Sequence, residues 1–126
     1  LTRLIKLAAF GACLWLAAAG VADAKTKPCG AVGKDVVEVQ RNLRSCLASN
    51  VACAAVQGLQ VFNNNERRLP AAGHNQAYYE ARVGTDHAGA GGVRRVVDLA
   101  QGAKGSASVL DKYYSADHYA TFCELT

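Results

Sequence analysis

Four cysteines, at positions 29, 46, 53 and 123, have to be brought together in pairs by whatever fold this chain adopts. They allow three connectivities. The middle two stand seven positions apart, so we expect Cys46–Cys53 as a local staple and Cys29–Cys123 as a clasp between the ends. Loop entropy assigns the long bridge about 4–5 kcal/mol and the short one about 2.5 kcal/mol. An even set of cysteines suits an oxidising compartment, where disulfides persist. A zinc site would need a C-x-x-C pair or a histidine close to the cysteines, and neither occurs.

The fifth cysteine, Cys13, lies in a charge-free run from Leu7 to Ala22 that Arg3 and Lys6 precede. Ala22-Asp23-Ala24 ends it with the small-x-small pattern of a cleavage site, so residues 1–24 are expected to be a secretory signal peptide. The run is shorter than the roughly 20 residues that cross a bilayer core. Its removal leaves a 102-residue domain, 25–126, with twelve Lys and Arg against nine Asp and Glu. That balance of +3 helps approach to an anionic polymer and serves solubility equally. The expected destination is periplasm or medium, with no membrane contact after processing.

From Lys34 to Ala48, Val36, Val39, Leu43, Cys46 and Leu47 recur at helical spacing, and Ser49-Asn50 ends the run. A short apolar stretch, Val51 to Val56, leads to a strand at Leu59 to Phe62 and a loop at Asn63-Asn64-Asn65. Tyr78 to Val83 alternates as a strand, with Tyr79, Ala81 and Val83 on one face and Tyr78, Glu80 and Arg82 on a polar one. Gly84 to Gly92 reads as a turn or wide hairpin connection, Val93 to Leu99 as a strand, and Gln101 to Ser108 as a surface insertion. Val109-Leu110 and a last strand from Tyr119 to Leu125 follow. The expected fold is α+β: an N-terminal helix packed on a twisted antiparallel β-sheet, stapled by disulfides.

Glu80, on a strand between aromatic and basic neighbours, and His118, in Ser115-Ala116-Asp117-His118-Tyr119, are the residues suited to proton transfer. Alone, neither is specific. Four segments carry more: Val61 to Pro70 (VFNNNERRLP), Tyr78-Tyr79-Glu80, Gly92 to Val97 (GVRRVV) and Tyr113 to Phe122 (YYSADHYATF). Their order resembles that of the guanyl-specific microbial ribonucleases, the barnase-like secreted enzymes of bacteria and fungi. The resemblance covers about half the chain, Val61 to Phe122, and implies the microbial ribonuclease fold.

It also implies cleavage of single-stranded RNA on the 3′ side of guanosine through a 2′,3′-cyclic phosphate, without a metal or other cofactor. Such a reaction needs an ionised base for the 2′-hydroxyl and a protonated acid for the departing 5′-oxygen. By resemblance Glu80 is the base and His118 the acid, with a bell-shaped pH profile. Arg95 matches the family's arginine, which meets the charge developing on phosphorus. The bacterial branch places a second arginine four residues earlier, where this chain has Gly91, while the fungal branch lacks it. Arg82, on the strand face of Glu80, is expected to take part of that role.

Glu66 is expected to accept guanine N1–H and the N2 amino group together, a donor pair that adenine lacks. Asn64 and backbone amides of the loop would read O6 and N7. Phe62 either stacks on the base or is an ordinary core aromatic, and Tyr119 contacts phosphate or base. Asn65 stands where bacterial enzymes carry arginine, and Arg67 and Arg68 meet neighbouring phosphates or solvent. His74 and His87 match no motif and read as surface residues. A monomer is expected, with an inhibitor protein of the barstar kind in the producing cell. Two other readings fit the same residues: a catalytically weakened RNA-binding relative, and a cationic secreted interaction module.

Overall fold

The computed structural model of the chain describes residues 26–85 and 91–126. The expected signal peptide, Cys13 and His87 lie outside the described residues. Helix α1, Lys34–Ser49, buries Val36, Leu43, Cys46 and Leu47, with Val39 half-buried beside them. Asp35 in its first turn complements the helix dipole and accepts from the backbone N–H of Val36 at 2.8 Å. Asn50 ends it in the left-handed region at φ 58°, its N–H bonded to Cys46 O. The Val51 to Val56 stretch contains only a single 3₁₀ turn, Cys53–Ala55. Both expected disulfides are present, Cys29–Cys123 and Cys46–Cys53.

Five strands follow: β1 Gln60–Phe62, β2 Gln76–Arg82, β3 Arg95–Gln101, β4 Ser108–Ser115 and β5 Cys123–Glu124. They form one antiparallel sheet in chain order. Side chains alternate between its faces, and both faces carry a core. On one, Ala81, Val83, Val96 and Ala100 pack beneath α1. On the other, Leu69, Tyr78, Val97, Leu99 and Tyr113 gather with Phe62 and Phe122 at their edge.

That second core corrects the expectation of a polar face on β2. Tyr78 and Glu80 are buried: the connection after β1 brings Leu69 and Pro70 to Tyr78, whose hydroxyl donates to Pro70 O at 2.7 Å, and Glu80 meets Tyr119 and Arg95. Residues 101–108 are likewise more than a surface insertion. Gly105 and Ala107 both donate to Leu47 O, at 2.7 and 3.0 Å, which satisfies a carbonyl of the last helical turn, and Ala107 is buried. The last strand is shorter than expected, since His118 and Tyr119 sit at φ 56° and 75° and Asp117 accepts from the Thr121 N–H and hydroxyl. A run of left-handed residues cannot continue a ladder, so Tyr119 belongs to a turn. His74 is exposed, as expected.

Candidate active site

Register aligns the site residues on the sheet face away from the helix. Glu80 pairs with Gln60 on β1 and Val97 on β3, while Arg82 lies directly opposite Arg95. Glu80, Arg82 and Arg95 therefore share one face. The Glu80 side chain is only 5% exposed and that of Arg95 14%, with Arg95 Nε 3.5 Å from Glu80 Oε1. A buried ion pair requires further hydrogen bonds. Arg95 Nη1 donates to the carbonyls of Gly92 and Arg94, at 2.6 and 3.0 Å, and its Nε donates to the Tyr119 hydroxyl at 3.0 Å. That hydroxyl donates in turn to Glu80 Oε1. The adjacent Arg94 points the opposite way and pairs with Asp35 of α1 at 2.8 Å.

Tyr119 connects Glu80 on the sheet with Phe62 at the start of the loop after β1. Its ring stacks on Phe62 with centroids 5.3 Å apart and 25° between planes, and Arg95 Cζ lies 5.6 Å from its centroid. Burial, followed by the hydrogen bond to Glu80, raises its pKa against the pull of Arg95. His118 is exposed at the rim, its ring 4.7 Å from that of Tyr119 and its N–H bonded to Val93 O at 3.0 Å. The turn holding both residues is tied by Ser115 Oγ, which accepts from the Tyr119 N–H at 2.9 Å. The structure thus joins Glu80 and Arg95 directly and links His118 to them through Tyr119.

A cleft of about 510 Å³ opens beside this cluster, lined by Phe62, Asn64, Glu66, Arg68, Glu80 and Tyr119 among others. Asn65 also lines it and is exposed. The Asn64 side chain is committed to the loop itself: its amide nitrogen donates to Leu69 O at 2.8 Å, and its oxygen accepts from the Leu69 N–H at 3.2 Å. The Glu66 carboxylate reaches solvent and pairs with Arg68 at 3.3 Å. Phe62 is half-buried, touching the second core on one side and the cleft on the other. Among the described residues, no group of three or more His, Cys, Asp and Glu side chains is placed to hold a metal ion.

Arg82 runs through a slot walled by two glycines. A Cβ at Gly91 would come within 2.8–2.9 Å of its Cδ, Nε and Nη1, and one at Gly58 within 3.4–3.7 Å of its Cβ, Nη1 and Cζ. Among the described residues its Nε is buried without an acceptor.

A family model described as ribonuclease matches residues 16–126, most of the chain. The chain belongs to this ribonuclease family. Membership makes RNA the substrate and its cleavage the activity. No curated protein matches the chain. In this ribonuclease, sequence reasoning singled out Glu80, Arg82, Arg95 and Tyr119, but not the hydroxyl bridge between Arg95 and Glu80 nor the glycine slot. It also passed over Asp98, fully buried on β3 beneath the helix, where Gln40 Nε2 donates to it at 3.0 Å. A lone carboxylate inside the apolar run Val96-Val97-Asp98-Leu99 is the signal that points to it.

Proposed function

We propose that this ribonuclease is a secreted endonuclease that cleaves single-stranded RNA 3′ of guanosine through a 2′,3′-cyclic phosphate. The observation that carries the reading is the buried Glu80 carboxylate, bridged to Arg95 by the Tyr119 hydroxyl in a cleft that the Glu66 carboxylate also lines. Glu80 takes the 2′-proton as the 2′-oxygen bonds to phosphorus. The bond to the 5′-oxygen then breaks, and His118 gives that oxygen a proton. Arg95, fixed by two carbonyls and Tyr119, faces the charge developing on the non-bridging oxygens. Arg82 supplies a second guanidinium, with Gly91 making room for it.

Glu66 turns from Arg68 to accept both donors of the guanine edge, which adenine cannot offer. Asn64 shapes the loop, whose backbone amides reach the base, and Phe62 and Tyr119 supply aromatic surface for it. Neither step requires a metal. The two disulfides favour an oxidising destination, with residues 1–24 as the leader and 25–126 as the catalytic domain, acting as a monomer. A barstar-like inhibitor in the producing cell belongs to the same reading.

The test is cleavage of GpC and ApC by the oxidised protein in the presence of a chelator, with Glu80→Gln and His118→Ala as controls. Guanosine 2′,3′-cyclic phosphate from GpC alone, absent with both variants, is the expected result. Equal cleavage of ApC removes the specificity, and full activity in either variant removes the assigned mechanism.

A further inference from the structure

A second cleft, of about 730 Å³, adjoins the one beside Glu80 and shares its Val61, Phe62, Asn63 and Asn64 wall. Its volume lies in the range of small-molecule sites. Its surface is mainly apolar, with Val61 half exposed, Leu69 and Pro70 beneath, and the small exposed side chains of Ala71 and Ala72 leaving it open. Among the described residues, one cation lines it. Arg67 sits at φ 57° in a turn closed by its own N–H to Asn64 O at 2.9 Å, and this left-handed residue parts two consecutive arginines. Arg68 lines the first cleft and pairs with Glu66, while Arg67 lines the second.

We propose that the second cleft binds the nucleotide on the 5′ side of the guanosine, its base against Val61, Leu69 and Pro70 and its phosphate on Arg67. The assignment of side rests on the functional reading above. Glu80, Arg95 and Tyr119, which take the 3′-phosphate in that reading, lie toward the Arg82 end of β2. The second cleft reaches Tyr78 and Ala77, in the other direction along the same strand. An RNA chain whose guanosine 3′-phosphate is held at Glu80 leaves past Phe62 and Asn64 by its 5′-oxygen. A base laid on an apolar surface together with one phosphate contact suits any base, so this cleft contributes affinity without selecting sequence.

The experiment compares GpC with UpGpC, using the parent, Arg67→Asn and Ala71→Glu. Asparagine tolerates the left-handed conformation at 67, and position 71 is exposed, so both variants keep the fold. The added 5′-uridine should raise kcat/KM about tenfold in the parent. Both variants should lose most of that gain and cleave GpC at the parental rate. Equal rates on the two substrates in the parent, or a gain that survives both substitutions, overturns the subsite. Binding of the uncleavable 2′-deoxy oligomers dGpdC and dUpdGpdC decides it apart from turnover. Tighter binding of the trimer by the parent alone supports the cleft even if neither RNA is cut, whereas failure of catalysis with both RNAs defeats only the enzymatic assignment. Equal affinity for the two deoxy oligomers defeats the cleft.

Discussion

The Tyr119 hydroxyl donates to Glu80 Oε1, and burial with that carboxylate keeps the phenol protonated. Because the same oxygen accepts from Arg95 Nε, one hydroxyl fixes the spacing between a carboxylate and a guanidinium that otherwise face each other at 3.5 Å. Tyr119→Phe keeps the stack on Phe62 and deletes only this bridge. A hydrogen bond to a charged group contributes about 1.5–3 kcal/mol. We expect kcat/KM on GpC to fall about 10- to 100-fold, with little change in Tm. Parental kinetics in this variant would remove Tyr119 from the mechanism.

Gly91 and Arg82 should behave as one unit. The φ of Gly91 lies in the ordinary range, so the obstacle to a side chain there is steric, and what has to move is Arg82. Gly91→Ala and Arg82→Ala are each expected to lower kcat/KM about tenfold, on the scale of one charge-assisted hydrogen bond. In the double variant the losses should not add. Additive losses measured in this cycle would mean that Gly91 serves the connection before β3 independently of Arg82.

In the proposed reading Glu66 carries selectivity rather than stability. Its side chain is 70% exposed and its one partner, Arg68, is itself half exposed, a pairing that contributes little to folding. Glu66→Gln should leave the unfolding transition within about 0.5 kcal/mol of the parent. The ratio of GpC to ApC cleavage should drop about 10- to 100-fold, the range of one bidentate base contact. A ratio that does not change assigns guanine recognition to the backbone alone.

Asp98 makes stability depend on pH. Burial pushes its pKa up to about 7, against the hydrogen bond from Gln40 and the attraction of Lys112 and Arg44. The folded protein holds this proton between about pH 4 and pH 7, where the unfolded chain has released it, so stability falls as pH rises through that window. The loss is on the order of 4 kcal/mol at most, and is complete above pH 7. Among the described residues, Gln40 Oε1 and Asp98 Oδ1 are both buried acceptors without a donor. Asp98→Asn supplies N–H groups there and should flatten the dependence while raising Tm at pH 8. Thermal melts at pH 5 and pH 8 test this, and an unchanged slope in the variant would assign the dependence to other groups.

Much of the fold is legible because it is local. The helix announces itself through Val36, Leu43 and Leu47, its end through Asn50, and the short disulfide through its spacing. Strand alternation places Glu80 with Arg82, which the register confirms, but alternation cannot say whether a face meets solvent. That depends on distant residues, Leu69 and Pro70 against Tyr78 and Tyr119 against Glu80. The small, polar segment 101–108 reads as a surface loop for the same reason, since its bonds go to Leu47, more than fifty residues earlier. Tyr119 is legible as a neighbour of His118, while its bridge requires the turn at positive φ.

The Cys29–Cys123 bridge closes residues 29–123 into a covalent ring that contains every strand of the sheet except the last residue of β5. A protease that cuts once in the largely exposed connection between Asn63 and Gly73 opens this ring and releases no fragment. The two halves stay joined by the bridge, and β2, β3 and β4 remain together on one piece of chain. Only a second cut, or reduction of the bridge, can part Phe62 from Glu80 for good, which gives a nicked molecule the chance to keep its two clefts assembled.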